Sequence, residues 1–206
     1  MGRPPASDAR DTQKSILDAA LDLFAERGFF GTSMRELARA VGVRESAIYH
    51  HFANKEALLD ALMTEVGEDR AQKFELALEQ WRALPVRELL HNVASLLMEQ
   101  WEVPREQKLW RIMCIEGFRL AESDKFQMDA SFRRSRTLLE KLFADLAEQK
   151  RIKPVAPAIA SMEFMAPMFL VRNLAASPKS FRLPEGVNPR QILEAHVAFF
   201  CAALGA

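Results

Sequence analysis

The chain has 206 residues, of which 49% are apolar and 27% are charged, and its 28 basic and 28 acidic side chains leave a formal net charge of zero. This balance excludes a chain that is held to nucleic acid by excess positive charge alone. No apolar run approaches the roughly 18 residues of a membrane-spanning helix, so a membrane protein is excluded as well. Few glycines, many stretches rich in Ala, Leu, Glu, Arg and Lys, and no alternating β-branched runs predict an all-α chain.

The first residues and the two cysteines indicate the compartment. Residues 1–10, MGRPPASDAR, contain no hydrophobic signal core, so we expect a cytoplasmic protein. Cys114 and Cys201 are too few and too isolated for a disulfide framework or a zinc site, which agrees with a reducing compartment. We expect both to be buried small apolar residues rather than redox sensors.

The chain begins with an arm and a first helix. Pro4 and Pro5 hold the arm extended, because each proline fixes its own backbone and restricts the residue before it. An extended arm that carries Arg3 can lie in a DNA minor groove or remain a disordered tail. From about Asp11 to Arg27, apolar residues recur at helical spacing and Gly28 ends the pattern, which predicts the first helix.

Three short helix signatures follow one another between residues 32 and 59. The first begins at Ser33, and Glu36 three residues later completes a capping box, in which each residue satisfies a free backbone N–H of the other. It ends at Gly42, since a glycine can take the left-handed conformation that turns the chain. The second covers about residues 44–52, and the third begins at Asn54, a good N-cap. A helix, a glycine turn and a short helix are typical of a helix-turn-helix, whose second helix enters the DNA major groove.

We expect the outer face of the second of these helices to present side chains that can read DNA. Arg44 can bind guanine through two hydrogen bonds, and the carboxylate of Glu45 can accept one from cytosine N4. Tyr49 and Thr32 can donate to phosphates, and Lys55, in the first turn of the next helix, suits a bound phosphate. The alternatives are plain packing for Tyr49 and a solvated position for Lys55. The predicted DNA-binding residues are Thr32, Ser33, Arg44, Glu45, Ser46, Tyr49, His50 and Lys55.

The order of side chains in this region resembles the DNA-binding signature of the TetR family of bacterial transcriptional regulators. The matching stretches are TSMRELA at 32–38, VGV at 41–43, AIYHHF at 47–52 and NKEALL at 54–59. The chain departs from the family at Arg44, where a serine N-cap is usual, and at Glu45. The resemblance implies a three-helix DNA-binding head on a larger helical body, a homodimer, a double-stranded operator and a small inducer bound in the body.

The remaining sequence predicts a helical body. We assign residues 1–54 to the arm and DNA-binding domain, 55–84 to a long connecting helix, and 85–206 to an effector-binding and dimerisation domain. Helices are predicted at about 86–102, 106–122, 123–149 and 158–176, and a last one has Asn188 as N-cap and Pro189 at its first position. The last two are so apolar that we expect them to form a four-helix bundle across a C2 dimer.

The body contains many aromatic residues and methionines, which suit a pocket for an apolar ligand. Residues of this kind form a solid core more often than a cavity, so the pattern leaves both readings open. The resemblance favours a pocket for a small apolar effector. The predicted effector-binding residues are Met98, Trp101, Trp110, Met113, Phe118, Met162, Met165 and Phe169.

No motif in the chain predicts catalysis. A glycine-rich phosphate loop, an HExxH zinc motif, a GxSxG nucleophile motif and paired cysteines are all lacking, so we expect no catalytic residues, no metal and no cofactor. His91 and His196 stand singly on helical stretches, as satisfied core histidines do. The favoured reading is a DNA-binding repressor that an apolar effector releases from a palindromic operator. The alternatives are a helical enzyme or carrier without DNA binding and a helical adaptor that binds another protein through its last helices.

Overall fold

The computed structural model describes residues 6–122, 130–176, 183 and 185–206. Within these ranges the chain forms helices joined by short turns, which confirms the all-α prediction. The helices are α1 (Ala6–Arg27), α2 (Met34–Val41), α3 (Glu45–His51), α4 (Lys55–Trp81), α5 (Val86–Glu102), α6 (Pro104–Ala121), α7 (Ala130–Glu148), α8 (Pro157–Ala176) and α9 (Pro189–Leu204).

Most predicted helix ends lie within a few residues of the observed ones. Helix α1 begins at Ala6, five residues before the predicted start at Asp11. Helix α6 begins at Pro104 itself, because a proline fits the first turn, where its missing N–H needs no partner. The predicted helix over 123–149 is observed as α7, and residues 123–129 lie outside the described residues.

The described chain divides into two compact units. The head unit comprises Met1–Val66 and Pro104–Ser131, and the body unit comprises Gly67–Val103 and Phe132–Ala206. This division places α6 with the N-terminal helices, whereas sequence analysis assigned residues 104–121 to the effector-binding and dimerisation domain. The predicted boundaries concern function, so they stay a prediction.

The head unit has a small apolar core between its helices and ion pairs at its surface. Phe24 and Phe29 meet edge to face with ring centroids 5.2 Å apart. Two ion pairs at the surface join α6 to α1: Lys108 Nζ lies 2.6 Å from Asp22 Oδ1, and Arg105 lies 3.3 Å from Asp18. The side chains that fill this core include Ile16, Ala20, Phe24, Phe29, Leu37, Ile48, Leu58, Leu59 and Leu62.

The body unit is centred on three phenylalanines from three helices. Phe143 of α7 lies with its ring centroid 5.9 Å from that of Phe164 of α8 and 5.7 Å from that of Phe200 of α9. His196 contacts the same cluster, and its Nε2 lies 2.9 Å from the carbonyl oxygen of Phe164. His196 is therefore hydrogen-bonded, as predicted, and partly buried at the edge of the core.

The two cysteines differ in their surroundings. Cys201 is buried in the body core, and burial raises the pKa of its thiol above the ordinary value. Cys114 is exposed, so the expectation that it is a buried apolar residue is wrong. Of the helices in the described ranges, none is long and apolar enough to cross a membrane.

Candidate nucleic-acid interface and body cavity

Helix α2 begins and ends as its sequence predicts. The backbone N–H of Ser33 donates to Glu36 Oε2 at 2.9 Å, and the backbone N–H of Glu36 donates to Ser33 Oγ at 3.3 Å, which completes the capping box. These hydrogen bonds from Ser33 favour the carboxylate and hold the pKa of Glu36 below its ordinary value. At the other end Gly42 has φ +76°, the left-handed conformation that turns the chain toward α3.

Helix α3 separates a buried side from an exposed side. Ile48 is 0% exposed and anchors the helix to the head core, whereas Tyr49 is 49% exposed. Arg44 occupies the N-cap position without a side-chain capping bond, so its guanidinium stays available to the surface. The structure therefore places five predicted DNA-binding side chains on one exposed surface: Arg44, Glu45, Ser46, Tyr49 and His50.

Thr32, which is buried, and Lys55, which is partly buried, both have hydrogen-bond partners inside the head unit. Thr32 is 2% exposed, and its Oγ1 donates to the carbonyl oxygens of Gly28 at 3.0 Å and Leu23 at 3.3 Å. This burial corrects the prediction that Thr32 is a phosphate donor, because its hydroxyl does not reach the surface. Lys55 Nζ donates to the carbonyl oxygens of Phe29 and Thr32, both at 2.7 Å.

The same ammonium lies 4.5 Å from the centroid of the Phe29 ring. Burial lowers the pKa of Lys55, and the carboxylates of Glu56 and Glu116 oppose that shift. The lysine therefore joins the first turn of α4 to the turn between α1 and α2. The structure shows this contact for Lys55, and the phosphate contact stays a prediction.

Two features of the head unit were not predicted. Arg35 and Arg39 lie four residues apart on α2 and are both exposed, a spacing that could have marked them as one surface. The carboxylate of Glu116 from α6 lies against the Gly28 turn, so close that a Cβ at position 28 would be 2.5 Å from Glu116 Oε1. No local pattern could have revealed this second contact, because the two residues are far apart in sequence.

The body unit contains a cavity of about 280 Å³. Four predicted effector-binding residues line it: Trp101, Met162, Met165 and Phe169. The other residues around it are Arg70, Phe74, Leu97, Phe132, Ser135, Arg136, Leu139, Ser161 and Ala166.

The other four predicted effector-binding residues do not line this cavity. Met98 packs against the surrounding body core. Trp110 and Met113 belong to the head unit, because α6 groups with the N-terminal helices. The side chain of Phe118 lies outside the described residues.

Two arginines of the cavity were not predicted. Arg70 is 3% exposed, and the carbon of its guanidinium lies 4.4 Å from the centroid of the Phe132 ring. Arg136 borders the cavity, pairs with Glu140 at 3.5 Å, and keeps 52% of its side chain exposed. The signal for Arg70 was its position on α4, four residues before the buried Phe74, where an apolar residue is expected.

The proteins that this chain resembles are helix-turn-helix regulators, in agreement with the arrangement of α2 and α3. Residues 16–62 match the family described as bacterial regulatory proteins, tetR family. Among curated relatives, the uncharacterized HTH-type transcriptional regulator YvkB of Bacillus subtilis (strain 168) is 34% identical over 93 residues, which are 45% of this chain and 47% of that protein. The chain thus matches about half the length of this relative. The curated relatives are named as regulators and not as enzymes.

Solved structures match nearly the whole chain. The fatty acid degradation regulator FadR from Bacillus halodurans aligns with a TM-score of 0.73 at 20% identity, covering 97% of this chain and 96% of that one. AibR in complex with isovaleryl coenzyme A and operator DNA aligns with a TM-score of 0.62 at 25% identity, covering 91% and 97%. The chain therefore has the fold of these regulators from its first helix to its last.

Proposed function

We propose that this chain, a member of the TetR family by its N-terminal segment and its fold, is a DNA-binding transcriptional regulator. The observation that carries the proposal is the exposed surface of α3, where Arg44, Glu45 and Tyr49 surround a helix anchored by the buried Ile48. A helix of this kind in a helix-turn-helix enters the major groove and presents its first residues to base edges. We place the protein in the cytoplasm, where a bacterial operator is found.

Each side chain on this surface has a distinct role in the proposal. Arg44 donates to guanine O6 and N7, and Glu45 accepts from cytosine N4. Tyr49 donates its hydroxyl to a phosphate and sets the register. Arg35 and Arg39 on α2 take the phosphate contacts first assigned to Thr32 and Lys55, because the first helix of the motif crosses the DNA backbone.

The proposed regulator is a homodimer. Ile159 and Leu170 are exposed on α8, and Phe199 of α9 is 76% exposed, so both C-terminal helices have an uncovered apolar side. A C2 axis would bring the same residues of two subunits together and remove them from water. Two heads on one dimer would then read half-sites about 34–36 Å apart, which is one turn of DNA.

The cavity of the body unit supports control by a small molecule. A ligand can bind one arrangement of the dimer more tightly than another. It then shifts the equilibrium toward the arrangement that it prefers, and the size of the shift is set by the ratio of the two affinities. We propose that the unliganded dimer represses transcription from a palindromic operator and that the effector releases it. The cavity walls of the body unit supply the ligand contacts.

The experiment is selection of binding sites from random duplexes, followed by gel shifts with the selected site at several salt concentrations. We expect a palindromic site whose affinity falls steeply with salt, since phosphate contacts release counterions. Tyr49→Ala should lose most of the affinity and keep its helical circular dichroism, because this side chain is half exposed. Leu76→Ala, an exposed position on α4 of the body unit, is the matched control.

Two results would overturn the proposal. The first is a folded protein that selects no site and shows no salt-dependent affinity for any duplex. The second is a Tyr49→Ala variant that binds the selected site as tightly as the original chain. A helical enzyme or carrier would give the first result while still binding small molecules.

A further inference from the structure

The wall of the body cavity is mostly hydrocarbon. Trp101 and Phe169 stack with ring centroids 5.8 Å apart and an interplanar angle of 26°, and the ring of Phe132 meets that of Phe169 edge to face at 6.4 Å. Leu97 and Met165 add aliphatic surface. Such walls favour a ligand whose body is a hydrocarbon over a sugar or a nucleotide.

Both charged side chains among the described cavity residues are already engaged within the protein. The guanidinium carbon of Arg70 lies 4.4 Å from the centroid of the Phe132 ring, and Arg70 has a further interaction within the chain. Arg136 pairs with Glu140 at 3.5 Å. An anionic ligand would therefore lose its hydration without gaining a counter-charge of its own, and a cationic ligand would meet two like charges. The ligand that fits this cavity is uncharged.

A neutral polar group of the cavity lacks a partner. The Oγ of Ser135 is buried, and within the described part of the chain it makes no hydrogen bond. Ser161 differs, because its Oγ donates to the carbonyl oxygen of Ala158 at 2.9 Å. A buried hydroxyl without a partner costs free energy, and a ligand atom that completes the hydrogen bond regains it.

The polar side chains of the cavity favour an acceptor atom on the ligand. Arginine side chains only donate, and the hydroxyl hydrogen of Ser161 is already committed. Among the described residues that line the cavity, no Asp, Glu, Asn, Gln or His offers an acceptor. A carbonyl oxygen accepts without donating, so it can take the hydrogen of Ser135 and leave no donor of the ligand unsatisfied.

We propose that the cavity binds a small uncharged ketone with a hydrocarbon body, whose carbonyl oxygen accepts a hydrogen bond from Ser135. The volume of about 280 Å³ equals roughly nine water volumes at about 30 Å³ each, which is enough for a compact ligand of this kind. The predicted apolar effector is thereby narrowed to one chemical class. The assignment deepens the proposed function and rests on it only for the claim that this ligand is the effector.

The test is a series of titrations on the full chain without DNA, followed by ligand-observed NMR. Acetophenone and octan-2-one are the ketone probes, one aromatic and one aliphatic. Isopropylbenzene replaces the oxygen of acetophenone with a methyl group, and benzoate replaces its methyl group with a charged oxygen. We expect benzoate to bind at least about tenfold more weakly than acetophenone, because its charge would lose water without gaining a partner.

Ser135→Ala should weaken acetophenone about fivefold, which is the contribution of one hydrogen bond between neutral groups, and leave isopropylbenzene unchanged. Ser161→Ala is the matched control. It removes a hydroxyl from the same cavity, but one that already donates to Ala158, so the affinity ratio of acetophenone to isopropylbenzene should stay the same. Circular dichroism checks that both variants fold.

Three results would overturn the proposal. The first is that neither ketone binds, and the second is that benzoate binds as tightly as acetophenone. The third is a folded Ser135→Ala variant in which acetophenone and isopropylbenzene change equally or not at all. Ketone binding that depends on Ser135 in a chain without affinity for DNA would refute the regulator and keep the cavity assignment, and operator binding without ketone binding would do the reverse.

Discussion

Replacing Lys55 with methionine tests whether this side chain stabilises the head or contacts DNA. Methionine keeps most of the apolar stem and removes the ammonium, which donates to Phe29 O and Thr32 O at 2.7 Å each. A hydrogen bond that involves a charged group contributes about 1.5–3 kcal/mol. Since the site is only half buried, we expect a total loss of about 2–3 kcal/mol in the free energy of unfolding.

The assay is thermal and urea unfolding followed by circular dichroism, together with the salt dependence of operator binding. For a chain of this size 1 kcal/mol corresponds to about 2–4 °C, so the expected fall in Tm is about 4–12 °C. The matched control is Lys73→Met, which removes an exposed ion pair with Asp69 on one helix. Such a pair contributes about 0.3–0.5 kcal/mol, so the control should hardly change.

The alternative role predicts the opposite pattern. If Lys55 contacts a phosphate, Lys55→Met keeps its Tm, and the slope of log affinity against log salt decreases by about 0.9. Unchanged stability combined with this smaller slope would refute the assignment of Lys55 to the head core. A lower Tm with an unchanged slope would support it.

Three further predictions concern the head and the dimer. Gly28→Ala should lower the free energy of unfolding in urea more than Gly42→Ala does. Both glycines have positive φ, which costs alanine about 1–2 kcal/mol, but only at position 28 would the new Cβ also collide with Glu116. Because the pKa of Glu36 is lowered, its carboxylate stabilises the fold above pH 4.5, and this contribution is lost as the pH falls below that value. In Glu36→Gln the free energy of unfolding should therefore depend less steeply on pH in the acid range. An unchanged dependence on pH would contradict this. Phe199→Glu should give monomers in light scattering that keep their helical circular dichroism. A persistent dimer would rule out the proposed surface.

Helix ends could be predicted from the sequence because caps act over three or four residues. Asn188 accepts from the Arg190 N–H, and Pro189 is the first residue of α9, as both residue types indicate. The same applies to the capping box of Ser33 and Glu36. Local chemistry was enough at these positions, and tertiary contacts did not override it.

The inward-facing polar groups could not be predicted in this way. Lys55 and Thr32 are 23 residues apart. The sequence around either residue does not indicate that the ammonium of Lys55 donates a hydrogen bond to the carbonyl oxygen of Thr32. Trp110 and Met113 have the composition of a ligand pocket, but their helix belongs to the head unit. Composition identifies residue types that suit a cavity, and only the packing of helices decides which of them meet.

The short length of α3 has a consequence for attempts to transfer its specificity. The helix has seven residues, whereas an isolated helix needs on the order of 12–15 to persist in water. Its shape is therefore supplied by the scaffold beneath Ile48 and by the turn at Gly42. A synthetic peptide of residues 44–52 would be a random coil and would not recognise the operator, whereas grafting the same outward side chains onto another three-helix scaffold would transfer the preference for sequence.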